Sequence, residues 1–170
     1  MTNAFIKEFI DQSIHCIEEN THRIVKCLHE IDDTEIWKSP NNNSNSIGNL
    51  LLHLCGNIRQ YIISALGDAK DIRERDKEFS TKAGPAKSAL LDQLTGTISE
   101  AVGIIKNIDE SRLTKIYSVQ GFNLSGTGII IHVTEHISYH TGQIAFWTKQ
   151  LKNKDLGFYA NIDLNLKNSN

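Results

Sequence analysis

Apolar residues recur at helical spacing along four long segments of the chain. In the first segment, from about Ala4 to Glu30, apolar side chains return after three, four or seven positions. Examples are Phe5, Phe9, Ile17, Ile24 and Leu28. This period places them on one face of an α-helix. The polar stretch SPNNNSNS, residues 39–46, then predicts a loop because its composition is typical of turns.

A second helix is predicted from Ile47 to Leu66. Ser46 is a suitable N-cap because its hydroxyl can accept a hydrogen bond from the first turn. Gly67 is a suitable stop, since glycine is common just after a helix. The next stretch, residues 68–85, is charged and only weakly periodic, which predicts a solvated crossover with at most a short helical turn.

The second half of the chain predicts two further helices. One runs from about Ala86 to Asn107. The stretch from residue 117 to residue 126, YSVQGFNLSG, is expected to be irregular or briefly extended. Ser125 or Thr127 is then a suitable N-cap for a fourth helix that ends near Leu151.

Four amphipathic helices with one long connection predict an all-α fold, a four-helix bundle of the antiparallel type. The two prolines, Pro40 and Pro85, fall between the predicted helices. We expect a single domain at residues 1–151 and an irregular C-terminal tail at residues 152–170. Bundles build ligand sites from side chains on facing helices, so inward polar residues are the candidates for chemistry.

Charge and cysteine usage narrow the class of partner. The 18 Lys and Arg nearly balance the 20 Asp and Glu, and they are spread along the chain, which argues against a nucleic-acid partner. No apolar run approaches the roughly 20 residues of a membrane span. Cys16, Cys27 and Cys55 show no CxxC spacing, and no signal peptide is visible. A cytoplasmic protein with a small-molecule partner is expected.

Three of the seven histidines fall in one predicted helix, in the stretch HVTEHISYHTGQ. At about 100° per residue, His140 lies about 30° from the centre of the apolar arc, His136 about 70° and His132 about 110°. His136 and His140 are four residues apart and share a helix face, so both imidazoles can reach one ion. The Glu of the HExxH protease motif is missing, because Ile137 follows His136.

The histidines of the first helix have a different position. His15, His22 and His29 are seven residues apart and form one stripe opposite the apolar face. This stripe is predicted to face water, and a surface metal or pH-sensing stripe is the minor alternative.

A third inward histidine comes from the second helix, in the stretch NLLLHLCGNIRQY. His53 lies at the edge of the apolar arc, and Asn57 and Tyr61 follow at four-residue steps. Burying three imidazoles without partners would be costly, whereas a shared ion would satisfy all three. The sequence therefore favours a metal site at His53, His136 and His140 over a hydrogen-bonded pair of core histidines.

The stretch HISYHTGQI, together with LLLHLCGN upstream, resembles the DinB/YfiT-like superfamily, in a branch of unknown function. The resemblance covers most of the chain, up to about Leu151. It implies a bundle of up-down-down-up order with one long crossover. It also implies a divalent transition metal, nickel or zinc, held by His53, His136 and His140. Many relatives carry an Arg before the Gly-Gln pair; this chain lacks it, so the role of that Arg is not carried over.

The sequence leaves open whether the chain is an enzyme. The resemblance implies a metal-dependent transferase that acts on a low-molecular-weight thiol, and a metal-dependent hydrolase is the alternative. Asn57, Tyr61 and Gln143 are candidates to support the ligands or to contact substrate, with helix–helix hydrogen bonds as the competing interpretation. Glu135 is expected to be a surface carboxylate. The rival class is a non-catalytic protein whose metal staples the helices, and a homodimer is expected in either case.

Overall fold

The structure, a computed structural model, describes residues 4–169, and helices make up most of this part of the chain. The helical elements are α1 Ala4–Glu30, α2 Ile47–Ile58, a π-helical segment Arg59–Leu66, α3 Arg75–Ser80, α4 Lys87–Lys106, α5 Glu110–Thr114 and α6 Gly126–Lys152. Two strands, β1 Ile116–Val119 and β2 Phe122–Ser125, lie between α5 and α6. The four long helical segments fall where apolar periodicity predicts them.

Side-chain caps define where two of these helices begin. The Ser46 hydroxyl accepts a hydrogen bond from the Asn49 N–H at 3.1 Å, and the Asn49 side chain accepts one from the Ser46 N–H at 3.2 Å. This reciprocal pair satisfies two N–H groups at the end of α2. Ser125, and not Thr127, caps α6, because its hydroxyl accepts from the Gly128 N–H at 3.0 Å.

The last eight residues of the second helix adopt the wider π-helical form. At its end, the Gly67 N–H donates at 2.9 Å to the carbonyl of Ile62, five residues earlier. Such wide turns are rare in proteins, and those that occur often lie at functional sites. The segment keeps Tyr61, Ile62 and Ile63 buried.

A short β-hairpin lies in the stretch that was predicted to be irregular or briefly extended, and it corrects the all-α fold class. β1 pairs antiparallel with β2, and Val119 lies opposite Phe122. The two turn residues, Gln120 and Gly121, have φ values of +53° and +83°. Positive φ at both central positions is typical of the hairpin turn that matches strand twist. The fold is therefore mostly helical with one small two-stranded sheet.

The four long helices surround one apolar core. Both α1 and α2 pack against α4 and α6. The buried apolar side chains form one continuous cluster, which includes Ile24, Leu54, Ile98 and Ile137. Within residues 4–169, no helix is both long and apolar enough to cross a membrane.

The crossover between α2 and α4 is more than a solvated connection. Its short helix α3 docks against α2, because the Asn49 side-chain amide donates to the carbonyls of Glu78 at 2.9 Å and Thr81 at 2.7 Å. Glu78 is only 7% exposed. The predicted short helical turn corresponds to α3, whereas the prediction of a solvated crossover is wrong at Glu78.

The chain continues beyond α6 in turns. Leu156 is buried in the core, and the Lys26 ammonium donates to the Gly157 carbonyl at 2.9 Å. The limits of the predicted domain and tail, residues 1–151 and 152–170, stay a prediction.

Candidate metal centre

Three histidines from two helices meet between α2 and α6. His53 lies on α2, and His136 and His140 lie on α6. One ring nitrogen from each lies within 4.8 Å of those of the other two. His53 and His140 are 6% and 8% exposed, and His136 is half-buried. The structure thus brings together three imidazoles that could hold a metal ion.

The spacing of two of the ring nitrogens fits ligands of a single ion. Nε2 of His53 lies 3.1 Å from Nε2 of His136. Two imidazoles bound to one ion at about 2.0–2.1 Å have their nitrogens about 2.8–3.4 Å apart, for angles between a right angle and tetrahedral. The same 3.1 Å is also a hydrogen-bond distance, so geometry alone fits either interpretation.

The electrostatics of the cluster favour neutral imidazoles. Burial lowers the pKa of His136 to about 3, and repulsion by His140, His53, His132 and Arg73 adds to the effect. Burial also lowers the pKa of His140, although its hydrogen bond to Gln143 opposes this. Neutral imidazole is the form that binds metal ions, and His136 and His140 are in this form at neutral pH.

Two polar atoms at this site have no hydrogen-bond partner. Within residues 4–169, they are the only buried side-chain nitrogen and oxygen atoms in this state, His136 Nδ1 and Asn57 Oδ1. Unsatisfied buried polar atoms are uncommon in folded proteins and often mark sites that bind a group. The three converging imidazoles fit a metal ion, and the unpartnered Asn57 oxygen fits a further polar ligand beside them.

The three supporting candidates take two different positions. Gln143 touches a member of the cluster, since its Oε1 accepts from His140 Nδ1–H at 2.9 Å. Asn57 and Tyr61 contact His132 instead. The Asn57 amide donates to His132 Nε2 at 3.4 Å, and the Tyr61 ring stacks on His132 with centroids 4.4 Å apart.

His132 lines a cleft beside the cluster. The ring of His132 is 5.5 Å from that of His136, but His132 is not one of the three converging histidines. Burial lowers its pKa. Together with Glu135, His136 and Tyr139 it lines a cleft of about 150 Å³. Glu135 is exposed, as predicted, yet it stands in the wall of this cleft.

The structure also adds two residues that the sequence did not indicate. Oε2 of Glu78 lies 2.9 Å from His53 Nδ1. The Arg73 guanidinium donates to Glu78 Oε1 at 2.8 Å and to Oε2 at 2.9 Å. Burial raises the pKa of Glu78, but hydrogen bonds from Arg73 and His53 outweigh burial and hold it below its usual value. Glu78 is therefore ionised beside the cluster.

No pattern in the crossover distinguishes Glu78 from its exposed acidic neighbours. One related feature lies on α2, where Gly56 leaves the space that the Glu78 carboxylate occupies. A glycine within a helix has several explanations, so it could not identify Glu78 before the structure was known.

Three solved structures with a similar fold are a conserved bacterial protein and two DinB-like proteins. A conserved protein from Enterococcus faecalis gives a TM-score of 0.70 at 14% identity, over 85% of this chain and 97% of that one. The DinB-like protein YjoA from Bacillus subtilis gives 0.68 at 15% identity, over 87% and 96%. A DinB-like protein from Bacillus cereus gives 0.67 at 16%, over 83% and 91%.

A comparison with family models places the chain in a family. No curated protein matches it. The model of the family described as "Protein of unknown function (DUF1572)" matches residues 4–161. The predicted resemblance to DinB-like proteins is confirmed at the level of the fold. The chain belongs to the DUF1572 family and has the fold of the DinB-like proteins.

Proposed function

We propose that the protein is a divalent-metal-dependent enzyme whose centre is formed by His53, His136 and His140. The observation that carries the proposal is the convergence of their three ring nitrogens within 4.8 Å. Three protein ligands leave coordination positions open, as catalytic centres do and closed structural sites do not. Zinc and nickel are the proposed ions, since both suit imidazole ligands.

A bound divalent ion would supply Lewis acidity, which lowers the pKa of a water or thiol at an open position. The residues around the centre support an anionic substrate. The carboxylate of Glu78 contacts a ligand histidine, and its negative charge is already paired with the positive charge of Arg73. This carboxylate therefore does not neutralise the positive charge of a bound divalent ion. The centre therefore favours a substrate that binds as an anion, and a thiolate suits zinc and nickel.

The proposed reaction is transfer of a low-molecular-weight thiol onto a small-molecule substrate, and hydrolysis is the second candidate. Gln143 holds the His140 ring, since its Oε1 accepts from Nδ1–H and leaves Nε2 free. Asn57 and Tyr61 hold His132 beside the cleft of about 150 Å³. The unpartnered Asn57 Oδ1 is proposed to accept a hydrogen bond from substrate.

A non-catalytic protein is the rival, and one observation favours it. The 3.1 Å between Nε2 of His53 and Nε2 of His136 also fits a direct hydrogen bond. Such a pair would need no ion. His136 Nδ1 would stay without a partner in either case, since both the hydrogen bond and the proposed ion use Nε2.

Elemental analysis of the purified protein after dialysis tests the proposal. We expect about one zinc or nickel per chain. Replacement of His53, His136 and His140 by Ala is expected to remove it. The matched control replaces His15, His22 and His29, which are exposed on α1, and is expected to keep the metal. A wild type that neither retains nor rebinds one ion per chain would overturn the proposal.

Activity separates the enzyme from the rival. We expect thiol turnover by the metal-loaded wild type and by the α1 control, and none by the site variant. Stoichiometric metal without turnover, in a screen of thiol and hydrolase substrates, would favour a metal that only staples the helices.

Two further parts of the proposal concern the architecture. We propose that the four long helices form a four-helix bundle of up-down-down-up order with one long crossover. The packing of α1 and α2 against α4 and α6 supports it.

We also propose a homodimer, supported by Tyr139 and Phe146 on α6, which are 63% and 64% exposed. A sedimentation mass of one chain would contradict the dimer.

The proposed location is the cytoplasm. Cys16, Cys27 and Cys55 are all free thiols in the structure. Reduced cysteines are usual in that compartment. Cell fractionation followed by immunoblotting tests this location.

A further inference from the structure

The crossover delivers a carboxylate to the side of His53 that faces away from the cluster. Glu78 Oε2 lies 2.9 Å from His53 Nδ1, while His53 Nε2 faces His136. An ionised carboxylate only accepts hydrogen bonds, so the 2.9 Å contact with Glu78 requires the proton on His53 Nδ1. Arg73 Nη2 also lies 3.2 Å from this nitrogen, but it already donates to Glu78 Oε2 at 2.9 Å, so the shorter contact with Glu78 sets the position of the proton. In neutral imidazole the other nitrogen, Nε2, then carries the free lone pair.

We propose that Glu78 is a positioning residue, which fixes His53 with its proton on Nδ1 and thereby sets how tightly the centre holds its ion. The inference rests on the proposed metal-binding function. A carboxylate behind a ligand histidine fixes the ring orientation and raises the basicity of the ligand nitrogen.

Arg73 holds the carboxylate in place. Its guanidinium reaches both oxygens of Glu78, at 2.8 and 2.9 Å, and donates at 2.9 Å to Gln60 in the π-helical segment. The side chains of Arg73 and Glu78 are only 3% and 8% exposed. A buried carboxylate without such a partner would be strongly destabilising, so Arg73 lets Glu78 stay ionised beside His53.

The backbone around Glu78 is positioned by α2 as well. Asn49 donates to the carbonyls of Glu78 and Thr81, which fixes the end of α3 one helical turn from His53. Gly56 provides the space for the carboxylate, because a Cβ there would clash with Glu78 Oε1. The charge of Arg73, the hydrogen bonds from Asn49 and the space at Gly56 therefore all position the Glu78 carboxylate. This combination is expected for a specific buried contact and not for a chance contact at the surface.

Glu78→Gln tests the proposal, with Glu74→Gln as the matched control. Glu74 lies in the same crossover, is exposed and pairs only with Lys77 among the described residues. Competition with a chelator gives the zinc dissociation constant of each protein. We expect Glu78→Gln to weaken binding by about 10–100-fold and Glu74→Gln to leave it unchanged.

A second readout is taken without metal. Long-range ¹H–¹⁵N NMR spectra report which nitrogen of His53 carries the proton, with the signal assigned through a His53→Gln variant. We expect the proton on Nδ1 in wild type and a mixture of both forms in Glu78→Gln. A residue that only stabilised the fold would not change this distribution.

A double variant keeps the test valid if Glu78→Gln folds poorly. Arg73→Met/Glu78→Met replaces the buried pair by apolar side chains, which is often neutral or stabilising. We expect the same loss of zinc affinity and the same mixture of His53 forms. Wild-type affinity in the folded double variant, or a wild-type His53 protonated on Nε2, would overturn the proposal. If wild type binds no zinc, the proposed function fails, and the NMR measurement alone decides the role of Glu78.

Discussion

His136 is a half-buried imidazole that the fold keeps neutral. Its pKa in the folded protein is about 3, mainly because of burial, against about 6.5 for an unperturbed histidine. The unfolded chain therefore takes up this proton first as the pH falls. The corresponding stability is fully present above about pH 6.5 and is lost as the pH falls through about 3.

This linkage predicts an acid-sensitive metal-free protein. We expect the free energy of unfolding of wild type, measured in urea, to fall between pH 7 and pH 4 more steeply than that of His136→Asn. The variant lacks the titrating ring, so the difference in the free energy of unfolding between the two proteins should become smaller as the pH falls. Parallel curves would contradict the assignment of this proton to His136.

Gly56 is expected to be intolerant of a side chain. A Cβ there would clash with Glu78 Oε1 and lie 2.8 Å from the carboxyl carbon. Arg73 and His53 prevent the carboxylate from moving away. We expect Gly56→Ala to lower the free energy of unfolding by about 1–3 kcal/mol, as overpacking does.

A glycine on α4 provides the control for Gly56. A Cβ at Gly103 meets no atom within 4 Å. There Ala should stabilise the protein by about 0.4–1 kcal/mol, because it lowers the entropy of the unfolded chain. Denaturant unfolding measures both variants. An equal gain from both substitutions would show that the Glu78 carboxylate is free to shift.

At the scale of elements, one side chain of α2 tethers the backbone at the end of α3. The Asn49 amide group donates to the carbonyls of Glu78 and Thr81, while its oxygen completes the cap of α2 with Ser46. Asn49→Asp keeps that oxygen but places a second one against the two carbonyls. We expect it to cost about 1–3 kcal/mol and to release α3.

Hydrogen exchange distinguishes the tether from the cap. In Asn49→Asp, the amides of residues 75–80 should exchange faster than in wild type. Ser46→Ala removes the cap and leaves the tether. It should cost about 1 kcal/mol without a local change in α3. Identical exchange patterns in the two variants would mean that Asn49 acts only through the cap.

Much of the fold was predictable from periodicity and capping chemistry. Ser46 and Gly67 bound the second helix as predicted, because caps and stops are local signals. For residues 117–126 only an irregular or briefly extended stretch was predicted. The pairing of two strands was not, since strands of four residues carry too little alternation and the turn reads Gln-Gly instead of Asn-Gly.

The site was predictable on the long helices and not on α3. The helical period predicts that His136 and His140 share an inward helix face. His53 was added because inward imidazoles need partners when they are buried. Glu78 was not predictable, because its burial depends on a contact 25 positions away along the chain. Hydrophobic periodicity carries no information about such a contact.

At the scale of the whole molecule, the three histidines join helices that are distant in sequence. His53 and His136 are 83 positions apart. An ion held by both would bind the folded chain in preference to the unfolded one. Such binding raises stability by mass action, by about 2.7 kcal/mol when free metal exceeds the dissociation constant 100-fold.

Thermal unfolding with and without zinc measures this effect. We expect a rise in Tm of about 5–10 °C for a chain of this length. The triple Ala variant of His53, His136 and His140 should show no rise. The triple Ala variant of His15, His22 and His29 should match wild type. A zinc-dependent rise that survives in the first variant would place the ion elsewhere.

The wide turns of the π-helical segment have an evolutionary consequence. A five-residue hydrogen-bonded step accommodates one residue more than a regular helix over the same axial length. Homologues whose second helix is regular throughout are expected to carry one residue fewer between the positions of His53 and Gly67. Sequence comparisons across DUF1572 should therefore show single-residue gaps here. Such gaps would trace which lineages gained the wide turn that contains Tyr61, whose ring stacks on His132.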